Sequence, residues 1–262
     1  MNKLFINNRK GQKVSILLEE SPEQRGLVFI MHGLGGWKEQ GHIEIFAQAF
    51  RDNQFTVVRF DATNSYGESD GDYADATTTN YYEDLEDVIT WASTQNFYEE
   101  PFFLAGHSLG GISTALYAQK YPEKVKGLAP ISTVVSGKLS QQTKPFSHKV
   151  LEEWKRTGWL IRESYTKPGL MKRLKWSEME DRLKYDLLTQ VNKLNMPVLL
   201  IVGSEDEGTP PEHQRILFDA LPGKKELHII DGGPHTFIQE AHLNEIRKIM
   251  SRWVSDILNF ES

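Results

Sequence analysis

Short, nearly unbroken apolar runs alternate along the chain with longer stretches in which apolar residues recur every three or four positions. The runs are LVFIM (27–31), FTVVRF (55–60), PFFLA (101–105), KGLAPIS (126–132), PVLLIVG (197–203) and ELHIID (226–231). Runs this short with little polar alternation predict strands buried on both faces. Ahead of them, LFIN and KVSILLEE flank Arg9, Lys10, Gly11 and Gln12, a hairpin turn. The clearest helical stretch, NYYEDLEDVITWAS, sets Tyr82, Leu85, Val88, Ile89 and Ala92 on one face. Asn80 with Glu83 three residues later suits its N-terminal cap. Strand–helix alternation of this kind predicts the α/β class: a mostly parallel sheet with helices on both faces.

One segment breaks the rhythm. Residues 134–194 contain no core-strand pattern and are rich in Lys, Arg, Trp and Glu. They carry 13 Lys and Arg against 7 Asp and Glu, an excess of six positive charges. The chain as a whole carries −6, so the remainder carries −12. This segment is expected to be an insertion mounted on a core made of 1–133 and 195–262. The chain's length of 262 residues suits one domain with such an insertion. The negative balance argues against nonspecific nucleic-acid binding. There are no cysteines, which excludes disulfides, thiolate metal sites and a cysteine nucleophile. No run approaches the ~18 apolar residues of a membrane span, and the first residues lack the apolar core of a signal peptide. A soluble, cytoplasmic protein is the expectation.

The chemistry centres on GHSLGG, Gly106 to Gly111. It fits Gly-x-Ser-x-Gly with Ser108 in the middle, an apolar run before it and a helical stretch, Ile112 to Tyr121, after it. Strand, sharp turn and helix make the motif a nucleophile elbow, with the hydroxyl exposed at the sheet's carboxyl edge. A serine hydroxyl is a poor nucleophile near neutral pH and needs a base. Of eight histidines, His235 in IIDGGPHTF lies in a loop between the last strand and the last helix, at that same edge. On the sharp turn, the side chain of His107 should diverge from that of Ser108. His242 falls inside the last helix and reads as a surface residue, and His213 and His228 lack a comparable loop position. The base needs an acid to fix its tautomer. SEDEGTPP, after PVLLIVG, offers Glu205, Asp206 and Glu207, and Asp206, third after Gly203, is the choice. Donors for a tetrahedral oxyanion are expected at the backbone N–H of Leu109, which opens the helix, and of Leu34 in the glycine-rich loop MHGLGGWKE. His32 is expected to brace that loop. Neither glycine-rich stretch has the GxxxxGK[ST] spacing of a phosphate loop.

These segments in this order resemble the α/β-hydrolase fold family, and the likeness spans essentially the whole chain. The resemblance implies a central eight-stranded sheet whose first two strands form the hairpin, a Ser108–Asp206–His235 triad, and a cap after the sixth strand, which residues 134–194 match. The segment RFDATNSYGESDGD is similar to the family's Asp-x-x-Gly-x-Gly-x-Ser loop. It departs from it in having Gly67 six residues after Asp61 and no middle glycine. The small cap and the WKRTGW stretch look most like cinnamoyl or feruloyl esterases and monoacylglycerol-lipase-like enzymes. A serine nucleophile sets aside the aspartate-nucleophile branches by the same analogy. The expectation is a serine esterase acting on small to medium acyl or aryl esters through an acyl-enzyme, with a small-molecule partner and no metal or organic cofactor required. A peptidase or amidase, a thioesterase and a noncatalytic binding protein of this fold are the alternatives. In the cap, Trp154 and Trp159 are the expected substrate contacts, with Phe146, Tyr165 and Trp176 as further aromatics that could line a pocket or anchor the cap.

Overall fold

In the computed structural model, which describes residues 1–164 and 169–259, the eight expected strands form one sheet. They are β1 (Asn2–Asn7), β2 (Lys13–Glu19), β3 (Gly26–Met31), β4 (Phe55–Phe60), β5 (Phe102–His107), β6 (Val125–Ile131), and, after a further hairpin, β9 (Val198–Gly203) and β10 (Lys225–Ile230). The order across the sheet is β1-β2-β4-β3-β5-β6-β9-β10. β2 runs antiparallel to both β1 and β4, and every other pairing is parallel.

The apolar runs are continuous because successive side chains of one strand enter two different cores. In β3, Leu27, Phe29 and Met31 join one core while Val28 and Ile30 join the other. Phe102 and Leu104 alternate with Phe103 and Ala105 in the same way, as do Val198 and Leu200 with Leu199 and Ile201. Helices α1 (Gly41–Arg51) and α8 (Glu240–Asn259) cover one face. Beneath them Phe50, Phe55 and Phe103 meet edge-to-face at ring separations of 5.2–5.7 Å, with Trp253 against Phe103 at 5.6 Å. Helices α2 (Thr78–Ala92), α3 (Leu109–Lys120) and α7 (Pro211–Ala220) contribute to the other core.

Two details of α2 correct the sequence reading. Its cap is Thr77, whose side chain accepts the N–H of Asn80. Asn80 lies inside the first turn, with its amide given to Thr63 and Asp84. The fully buried tyrosine is Tyr81, which the pattern left out; Tyr82 packs half-buried against the same core and hydrogen-bonds Glu86.

Between β6 and β9 the chain forms α4 (Gly137–Ser140), α5 (His148–Thr157), an antiparallel hairpin β7 (Trp159–Glu163) and β8 (Met171–Lys175), and α6 (Ser177–Arg182). The hairpin is a separate two-stranded sheet. The segment is fastened to the core by polar contacts: Asp181 accepts the N–H and hydroxyl of Thr79 at 2.8 and 2.6 Å, and Gln119 donates to Leu187 O at 2.7 Å. No helix of the described residues is long and apolar enough to cross a membrane.

Candidate active site

Because β3, β5, β9 and β10 all run parallel, the loops that follow them gather at one edge of the sheet. Ser108 sits between β5 and α3 with φ 55° and ψ −111°, a left-handed conformation that costs a non-glycine residue energy. The turn is tight enough that a Cβ on Gly110 would lie 2.5 Å from His32 O, so only glycine fits there. A second close approach places the other two loops. The backbone at Gly203 packs against Gly233, where a Cβ would fall 1.9 Å from Gly233 O, and Glu205 N–H donates to that same oxygen at 2.9 Å.

The result brings Ser108, His235 and Asp206 together. His235 Nδ1 lies 2.8 Å from Asp206 Oδ2, and Nε2 lies 3.0 Å from Ser108 Oγ. An ionised carboxylate can only accept, so Nδ1 carries the hydrogen and Nε2 is left to accept from the serine hydroxyl. Asp206 is buried, which alone would raise its pKa. The adjacent His235 and the Thr209 N–H and hydroxyl outweigh burial and hold the carboxyl well below the usual range. Its Oδ1 accepts from the N–H groups of Gly208 and Thr209 at 2.9 and 2.8 Å. Glu205 and Glu207 are exposed residues that also line the cavity beside Ser108, and Glu207 pairs with Lys144. Thr209 was not singled out from sequence; its place three residues after the acid, in an Asx-type turn, was the available signal.

The glycine-rich loop after β3 packs beside this group. Leu34 lines the same cavity as Ser108, and Leu109 is the first residue of α3, directly after the serine. His32 braces the loop as expected: Nδ1 donates to Gly33 O at 2.8 Å while Nε2 accepts the N–H of Ala62 at 3.0 Å. Buried Lys38 holds the loop's far end, its Nζ 2.7 Å from Asp61 Oδ2 and its N–H donating to Oδ1 at 2.7 Å. The shifted glycine spacing after Asp61 is accommodated by wrapping the segment around that carboxylate, which also accepts the N–H of Glu68 at 2.8 Å.

His107 diverges from Ser108 and donates from Nε2 to the backbone oxygen of His235 at 2.8 Å. His42 packs on its other side, with ring centres 4.5 Å apart. His242, expected at the surface, is in fact buried against the core. Burial pushes His107 down to about 3, with repulsion from His235 adding to it. Burial also lowers His42, helped by His107, and His32. Groups whose folded pKa lies below the unfolded value of about 6.5 contribute stability that is complete above that pH and lost as pH falls toward the folded pKa. His107 alone is therefore expected to lower the melting temperature by roughly 5–10 °C between pH 7 and pH 4.5, and His42 and His32 add to the fall. A calorimetric series that stayed flat over this range would contradict buried neutral histidines.

The cavity at Ser108 has a volume of about 470 Å³ and is walled by the loops just described and by Pro145, Phe146, Arg162, Lys172 and Arg182 of the β6–β9 segment. Neither tryptophan expected to touch substrate reaches it. Trp154 is buried, donates its indole N–H to Leu174 O at 3.1 Å, and packs on Phe146 and Trp176. Trp159 lies under Arg173 and Lys175, with Arg173 4.7 Å from its ring centre. Trp176 packs with Trp154, Phe146 does line the cavity, and Tyr165 lies outside the described residues. Trp154→Ala should accordingly cost about 3–5 kcal/mol of stability. It should leave the ranking of acyl groups as it was, which melting curves and kcat/KM ratios on two chain lengths would check.

Comparison with known proteins agrees with this architecture. The family model described as serine aminopeptidase, S33, matches residues 22–242. A 31.7 kDa protein of the traX-finO intergenic region of Escherichia coli is 24% identical over 275 residues, covering 93% of this chain and 95% of its own. The mitochondrial palmitoyl-protein thioesterase ABHD10 of Mus musculus is 29% identical over 153 residues, 58% of this chain and 49% of that protein. The solved structure of mouse α/β-hydrolase domain-containing protein 10 superposes with a TM-score of 0.80 at 20% identity, covering 100% of both chains. Est1E from Butyrivibrio proteoclasticus with ferulic acid bound superposes with a TM-score of 0.81 at 21% identity, covering 98% of this chain and 99% of that one.

Proposed function

Given that this chain belongs to the serine aminopeptidase S33 family of α/β-hydrolases, we propose that it hydrolyses carboxylic esters of small to medium acyl or aryl groups through Ser108, His235 and Asp206. The observation that carries the reading is the relay itself: Ser108 Oγ to His235 Nε2 at 3.0 Å and His235 Nδ1 to Asp206 at 2.8 Å.

In the first step Ser108 Oγ bonds to the ester carbonyl carbon as its proton passes to His235 Nε2. The carbonyl oxygen becomes an oxyanion, held by the N–H groups of Leu34 and Leu109. Asp206 stabilises the imidazolium. Collapse breaks the bond to the alcohol oxygen, which takes the proton from Nε2 and leaves an acyl-serine. Water then gives a proton to His235 and adds to the acyl carbon, and Ser108 departs with that proton. The sum is ester plus water to acid plus alcohol.

Esters are favoured over amides because the alkoxide is the better leaving group and needs less help from the acid. The segment 134–194 acts in this reading as a cap that shapes the cavity and leaves the reacting groups to the core. Thioesters are the second reading, favoured by the similarity to mouse ABHD10, a palmitoyl-protein thioesterase. A panel of 4-nitrophenyl esters from acetate to octanoate, a feruloyl ester, an acyl-CoA and an aminoacyl anilide separates these readings. Turnover of the anilide alone would overturn the ester proposal; turnover of the acyl-CoA alone would transfer it to thioesters.

A further inference from the structure

The hairpin β7–β8 has one face to solvent and one toward the core. Ile161, Glu163, Met171 and Arg173 are exposed, whereas Leu160, Arg162, Lys172 and Leu174 are not. On the inward face Leu160 opposes Leu174, as an inward-facing pair should, but the next pair is Arg162 opposite Lys172. Like charges directly opposed across an antiparallel pair destabilise it, and here both line the cavity at Ser108.

The neighbours of Arg162 do not cancel its charge. Its guanidinium donates to Pro145 O and lies over the Phe146 ring, 5.2 Å from the centroid. No carboxylate of the described residues pairs with it, and burial without such a partner lowers its pKa. The third cation of this wall, Arg182, differs: Glu178, fully buried, takes its charge at 2.6 Å. Of the acidic residues that also line the cavity, Glu207 pairs with Lys144, and Glu205 is exposed. Lys172 is held over Tyr66 and Tyr73, with Nζ 3.5 Å from the Gly35 carbonyl, in the loop that carries Leu34. A guanidinium with one backbone acceptor retains N–H donors for a planar anion.

We propose that the ester taken by this cavity carries an anionic group, such as a carboxylate, away from the scissile bond, and that Arg162 binds it with Lys172 alongside. This rests on the ester reading above. Two matched pairs test it: mono-4-nitrophenyl glutarate against 4-nitrophenyl pentanoate, with the charge on the acyl side, and 4-butanoyloxybenzoate against phenyl butanoate, with the charge on the alcohol side. Rates are corrected for background hydrolysis. In at least one pair the anionic member should be preferred about tenfold or more in kcat/KM, and added NaCl should shrink that preference. Arg162→Met should lower the anionic-to-neutral ratio about tenfold, and Arg162→Lys should restore part of it. Equal or faster turnover of the neutral member in both pairs would overturn the proposal, as would a ratio that Arg162→Met leaves unchanged. If none of the four esters turns over, the ester reading fails, and calorimetric titration with glutarate and with neutral glutaramide decides the anion site alone. Glutarate binding that is lost in Arg162→Met supports it; no glutarate binding overturns it. Melting curves of both variants establish that they are folded, and the salt dependence of the unaltered protein stands without them.

Discussion

Ser108→Ala is expected to reduce kcat/KM toward any accepted ester by on the order of 10⁴-fold or more. Among the described residues, the hydroxyl is the one group positioned to donate a proton to His235 Nε2, at 3.0 Å. Without it, only water can use the base, and no acyl-enzyme forms. The fold has little reason to respond. The Ser108 side chain bonds only His235 among the described residues, and its backbone N–H and C=O stay engaged with Ile131, Ile112 and Val134. A melting temperature close to that of the unaltered protein, with turnover at background, is the predicted pair of results. Mass analysis after treatment with a fluorophosphonate should place the label on Ser108 and find none in the variant. A folded alanine variant with near-normal turnover would remove Ser108 from the mechanism.

Asp206→Asn should cost on the order of 10⁴-fold in kcat while changing little in size or shape. The reason lies in what already surrounds the carboxylate. Oδ1 faces two donors, the N–H groups of Gly208 and Thr209. An asparagine would keep its carbonyl oxygen there and turn its NH₂ toward His235. Nδ1 would then have to accept, the ring proton would move to Nε2, and the histidine would meet Ser108 as a donor, unable to take its proton. Nitrogen NMR of the imidazole should report the exchanged tautomer, a signature that simple destabilisation does not produce. Glu205→Gln and Glu207→Gln, at exposed positions of the same loop, should lose severalfold at most. A dominant loss at either glutamate would transfer the orienting role to it.

The strands were legible because burial on two faces leaves an unbroken apolar run, and in a parallel sheet the following loops must share one edge. That geometry is why Ser108, Asp206 and His235, far apart in sequence, could be named together. What could not be read depends on how elements dock. Arg162 and Lys172 reach the cavity because of the pairing register of a hairpin whose local sequence, WLIRE and MKRLK, has no strong alternation to fix which face turns inward. Trp154 became an anchor because α5 lays it against Phe146 and Trp176. His242 reads as solvent-facing on composition and is buried by the packing of α8 on the sheet. The choice of Thr77 over Asn80 as a cap turned on Asn80 finding buried partners in Thr63 and Asp84.

The left-handed backbone at Ser108 has a consequence for anyone breeding sturdier forms of this protein in the laboratory. A residue with a Cβ is strained at φ 55° and ψ −111°, and glycine is not. Ser108→Gly should relieve about 1 kcal/mol or more of that strain, offset in part by the greater freedom of an unfolded glycine. Selection on heat resistance alone would therefore enrich chains that have discarded the hydroxyl. The steepest local route to robustness at this position runs directly away from turnover, and a screen that does not demand both will follow it.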